Sequence, residues 1–192
     1  MKTSTRYLIT AALLGLSLLS CAATHTTTFL HPEFDFGQIE RVAVIPFENL
    51  STDQATGNYA TRVFITELLA TGAFDIVEPG EVTRVVGPLV TGRGAELSID
   101  QIKKAGQDLK VQAVIFGTVG ESADLRSSSG GSAHVLSLDL RMVETENGST
   151  IWSSVVNTGG PGLFARLFGA GDQSRGSAVR KAARTAVHSL VK

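Results

Sequence analysis

The chain has one cysteine, Cys21, and it closes the apolar run Tyr7–Leu19. A lone thiol has no partner within the chain for a disulfide, so whatever chemistry it has is that of a single sulfur nucleophile. The four histidines, His25, His31, His134 and His188, have no metal-ligand spacing. No Gly-x-Ser-x-Gly elbow marks a serine nucleophile, and Ser127–Ser132 reads as a flexible loop. Gly169-Ala-Gly171 lacks the Gly-Lys-Ser/Thr ending and the strand context of a phosphate loop. The expectation is therefore a protein with no catalytic site, no metal and no cofactor. Leu163-Phe-Ala-Arg-Leu-Phe168 is different in kind. Leu163, Phe164, Leu167 and Phe168 gather round Arg166 in a glycine-flanked stretch. As one helical turn they could bind a partner or lipid headgroups, or fold back as a lid on a sheet. The sequence leaves both open.

The residues before Cys21 say where that sulfur goes. Lys2 and Arg6 form a short basic region ahead of the apolar run. The run is about 13 residues long, too short for a spanning helix of roughly 20, so it reads as a removable signal. Leu18-Leu19-Ser20-Cys21 resembles the lipobox of bacterial lipoproteins. That resemblance implies cleavage between Ser20 and Cys21, diacylglycerol on the sulfur and a further acyl chain, such as palmitate, on the freed amine. Each buried methylene contributes about 0.8 kcal/mol, and two or more chains make a stable anchor. Ala22 after the cysteine, rather than Asp, implies delivery to the outer membrane. The bland alternative is an uncleaved signal with a buried free thiol.

Cleavage would leave 172 residues, a length suited to one domain with a proper core. The full chain carries a net charge of −1, and loss of Lys2 and Arg6 takes it to −3. That balance gives no electrostatic footprint for nucleic acid. Residues 21–40 read as a lipidated N-terminus and short polar tether, and residues 41–192 as a periplasmic domain.

Within that domain, Arg41–Phe47 is apolar on both parities, as for a strand covered on two faces. Glu48–Gly57 is polar and reads as a loop, and Asn58–Ala70 repeats Ala60, Phe64 and Leu68 at helical spacing. Phe74–Glu78 is a short strand and Glu81–Val86 a helical piece. Ser98 and Gln101 have capping-box spacing before another helix. Val111–Val119 is strongly β-prone, and Val135–Val143 alternates, with Ser137, Asp139 and Arg141 on a wet face. Asn147-Gly148 marks a hairpin into Ile151–Val156. Ser177–Val191 closes the chain as an amphipathic helix. The order β-α-β-α-α-β-β-β-α predicts an α/β (α+β) fold, a mixed sheet of about five strands with helices packed on it.

This order resembles the family of bacterial outer-membrane lipoproteins that contains the curli-secretion component CsgG and the penicillin-binding-protein activator LpoB. The likeness is carried by Val42-Ala-Val-Ile-Pro-Phe-Glu-Asn49, Phe74–Glu78, Ala113–Val119, Leu136–Val143 and Asn147–Trp152. It implies a non-enzymatic periplasmic domain on an outer-membrane anchor, acting through an envelope protein partner. Glu121–Ala133 and Gly159–Gly176 are poor candidates for the long alternating hairpins a membrane barrel requires, since each would need roughly 20 residues. The first expectation is thus a regulator or assembly factor of an envelope machine, in peptidoglycan synthesis or transport. The second is a homo-oligomeric, ring-forming subunit of a CsgG-like secretion or export assembly.

Overall fold

The computed structural model describes residues 24–90, 97–126, 132–159 and 174–191. Seven strands run in the order β1 (Thr24–Leu30), β2 (Arg41–Val44), β3 (Glu48–Asn49), β4 (Asp75–Ile76), β5 (Ala113–Arg126), β6 (Ser132–Glu144) and β7 (Thr150–Thr158). Four helices lie among them: α1 (Thr56–Leu69), α2 (Pro79–Val86), α3 (Ile99–Leu109) and α4 (Arg175–Leu190). The strands make one open sheet in the spatial order β1-β7-β6-β5-β2-β4, with β3 beside β5. Pairing of β2 with β4 and β5, and of β3 with β5, is parallel; β5-β6-β7-β1 is antiparallel. This is the mixed α+β sheet expected, but wider.

Alternation on the central strands divides the interior into two cores. Val42 and Val44 join Ala113, Ile115, Leu138, Leu140 and Met142 under α1 and α4. Ala43 and Ile45 point the other way, to Val82, Val86, Ile102 and Leu109 of α2 and α3. Strand β2 is apolar on both parities because both its faces are covered. Helix α4 lays a stripe of Ala178, Ala182, Ala183 and Ala186 against α1 and the sheet. Its small side chains allow close approach. Phe47 lies flat on Gly117 of β5, where any Cβ would overlap the ring. Ser98 caps α3 as its spacing predicts: its Oγ accepts from the Gln101 amide, and Gln101 Oε1 accepts from the Ser98 amide. Gly148 adopts φ +79° in the β6–β7 turn, the backbone that Asn-Gly favours.

Three expectations are corrected. The polar segment expected as a tether is, from Thr24 to Leu30, strand β1, paired along its whole length with β7. It shows no apolar alternation because its residues are almost all exposed, so no face had to be apolar. The stretch Glu48–Gly57, expected as a loop, contributes the short strand β3. Ala123–Arg126 and Ser132, expected as part of a Ser/Gly-rich loop, continue β5 and β6 into a longer hairpin, and residues 127–131 lie outside the described residues. A β-bulge at Gly120, between Val119 and Glu121, interrupts the alternation of β5 and hides that continuation.

Candidate interaction surface

Helices α2 and α3 cover only one half of the second sheet face. Beyond β5 that face is open among the described residues. Its side chains form three rows across four strands: Phe116, Arg141, Ser153 and Phe29; Thr118, Asp139, Val155 and Thr27; Glu121, Ser137, Asn157 and His25. Ser137, Asp139 and Arg141 stand on the wet face expected for them. The Arg141 guanidinium lies 5.0 Å from the centre of the Phe116 ring, in cation–π contact. Burial among these neighbours raises the Asp139 carboxyl above its ordinary range, and the nearby Arg141 charge partly opposes the rise.

Among the described residues the surface ends at β1, which pairs with β7 alone. Six of its seven residues are exposed, Phe29 and Leu30 at 45% and 49%. Edge strands are normally protected by charge, proline, a bulge or a cover, because their unpaired amides and carbonyls recruit other strands. Thr-His-Thr-Thr-Thr-Phe-Leu has no formal charge, no proline and no bulge. It is also rich in β-branched Thr, which suits a strand.

A second arrangement has the composition of a hydrolase site. Ser122 Oγ is 2.8 Å from His134 Nε2, and His134 Nδ1 is 2.7 Å from Asp124 Oδ1. Sequence reasoning missed it because the three residues meet only through the hairpin register. Ser122 and Asp124 share one face of β5 by alternation, and the Gly120 bulge brings that face into register with His134, which pairs with Asp124. The signal that could have found it is Ser-x-Asp on one strand and His on the next, both at alternate positions. Accessibility runs the wrong way for attack on a substrate. The Asp124 side chain is 78% exposed, whereas Ser122 and His134 are buried at 5% and 3%. Ser122 Oγ also lies 3.3 Å from Thr56 Oγ1 in the first turn of α1. With Asp124 ionised, His134 donates from Nδ1 to the carboxylate and accepts from Ser122 at Nε2, and the Ser122 oxygen can accept from Thr56. The series fastens the hairpin to α1.

The residues singled out by sequence for a partner, Leu163, Phe164, Leu167 and Phe168, lie outside the described residues, as do Ser20 and Cys21. Among the described residues, no group of three or more His, Cys, Asp or Glu could hold a metal ion, and no helix is long and apolar enough to cross a membrane.

No protein-family model matches the sequence, and no curated protein does. The fold is similar to that of the PelC dodecamer from Paraburkholderia phytofirmans, with a TM-score of 0.60 and 15% identity over 88% of this chain and 97% of that one. The hypothetical protein CT253 from Chlamydia trachomatis is similar at a TM-score of 0.53 and 12% identity, over 79% of this chain and 95% of that one. The LpoB C-terminal domain from Escherichia coli matches 62% of this chain and 81% of its own, at 13% identity and a TM-score of 0.46. At these identities the likeness to PelC and CT253 is one of fold, and the weaker one to LpoB carries no argument. CsgG has no counterpart among these structures.

Proposed function

We propose that this chain is a lipid-anchored, non-enzymatic protein of the bacterial envelope, held at the outer membrane and facing the periplasm, that binds another envelope protein through β1 and the open sheet face beside it. The observation that carries this reading is the unprotected edge: a seven-residue strand, uncharged and exposed, bordering an uncovered face. Strand addition at such an edge gives affinity through main-chain hydrogen bonds, and the flanking side chains give selectivity. Arg141 and Asp139 on β6 and Phe116 on β5 supply polar and aromatic contacts further in on the same face. The lipobox-like Leu18–Cys21 supports the anchor. The client belongs to peptidoglycan synthesis or envelope transport.

The test is a photo-crosslinking amino acid placed at Thr27 in cells and, for comparison, at Glu146 in the turn after β6. An adduct with an envelope protein from Thr27 and none from Glu146 is expected. Failure of Thr27, Phe29 and Asn157 all to crosslink would reject the surface.

A second reading is favoured by the fold shared with a dodecamer. Here the same edge meets another copy of the chain, which is then a ring-forming subunit of an outer-membrane secretion or export assembly. Crosslinks from Thr27 would then join two copies.

A further inference from the structure

We infer that the distal end of the β5–β6 hairpin rests on the headgroup layer of the membrane that holds Cys21, an inference that depends on the acylation reading above. The argument is one of lengths. Thr24 pairs with Thr158, Thr158 with Leu136 and Leu136 with Ser122, so these four residues form a single row across the sheet. Strand β1 starts in that row and runs away from the hairpin end, so the chain that carries Cys21 joins the sheet at its hairpin end. Only three peptide steps separate Cys21 from Thr24. They span at most about 11 Å when fully extended.

The hairpin continues past the same row through four further register pairs, Ala123↔Val135, Asp124↔His134, Leu125↔Ala133 and Arg126↔Ser132. At about 3.4 Å per residue they reach about 14 Å. The overhang is longer than the leash. A domain standing with its strands along the membrane normal therefore brings the hairpin to the lipid surface even with the leash taut. Any slack brings it closer, and only a tilt toward the β1 side would lift it.

The hairpin is built to bear such a contact. Its stem is fastened to α1 through Thr56, Ser122, His134 and Asp124. Ala123 and Val135, half-buried and on the face no described helix covers, offer small apolar side chains. The exposed carboxylate of Asp124 on the opposite face suits headgroups and not the hydrocarbon interior, so the contact is interfacial.

The experiment uses the full acylated protein in phosphatidylethanolamine–phosphatidylglycerol vesicles. With Cys21 acylated, an introduced cysteine is the only free thiol. An environment-sensitive fluorophore is attached to Ala123→Cys or to Asn147→Cys, at the far end of β6, and quenched by lipid carrying a spin label on its headgroup. Quenching several-fold stronger at position 123 than at 147 is expected; equal or reversed quenching overturns the orientation. Val135→Cys replaces Ala123→Cys if the latter fails to fold. The mass of the N-terminal peptide separates the two layers of the argument. An unacylated Cys21 removes the anchor reading and this inference with it. An acylated Cys21 with reversed quenching removes this inference alone.

Discussion

Asp139 shows how a single residue on the open face carries a measurable signature. Its carboxyl is raised chiefly by burial, against the favourable charge of Arg141. An acid whose folded pKa is raised binds its proton more tightly folded than unfolded. Its contribution to stability is present below the unfolded value near ~3.9 and is lost as pH rises through the folded value. Asp139→Asn removes that loss. The variant should melt at a higher temperature than the parent at pH 7, with the gap closing below about pH 4, as read by thermal unfolding across that range. Glu144 is raised too, by burial and then by Glu146, and should leave a residual pH dependence of the same sign in the variant. The wet-face position of Asp139 was legible, because Leu136, Leu138, Leu140 and Met142 alternate with it. The Ser122–His134–Asp124 series was not. Its geometry depends on one inserted residue, Gly120, and a bulge has no periodic signal of its own.

At the scale of elements, legibility followed burial. Helix α3 was readable from its cap as well as its stripe, and both are realised in the structure. Ser98→Ala should destabilise the domain by about 1 kcal/mol, because the Gln101 amide loses its acceptor and the reciprocal bond loses its frame. Chemical denaturation should show this as a lower midpoint with an unchanged slope. Strands β2 and β6 were readable because each buries at least one face, so hydrophobicity records their direction. Strand β1 buries neither face fully, and its Thr-rich sequence resembles a tether in composition. The long β5–β6 hairpin was half readable, up to the bulge that inverts its alternation. The β6 part of the candidate surface was thus legible, whereas its β1 edge fell on the element that leaves the weakest trace in a sequence.

At the scale of the molecule, the decisive property is a sheet that, among the described residues, has a covered half and an open half. Its outer edge on the open side is long and uncharged, whereas the opposite edge, β4, has two residues and the Arg41–Asp75 ion pair beside it. If like chains assemble through β1, Thr26→Lys together with Thr28→Lys should return the acylated protein to monomer, because charges on an edge oppose strand addition. The detergent-extracted mass, measured for parent and variant, checks this: a parent already monomeric removes the ring reading and leaves the heterologous partner.

The pairing of β1 with β7 also bears on how the chain comes into being. Thr28 and Ser154, side by side across these strands, are separated by 126 positions in sequence. Closing so long a loop is entropically costly and slow, and it makes the topology one of high contact order. The first strand in sequence must wait for nearly the last before it has a neighbour. Until then a thread of β-branched residues stays unpaired and open to other strands, and if the chain is exported as proposed it is so throughout export. Completion of the sheet and protection of that thread are one late event, so carboxy-terminal truncations that remove α4 and β7, and with them the partner of β1 and part of the first core, should be lost to proteolysis.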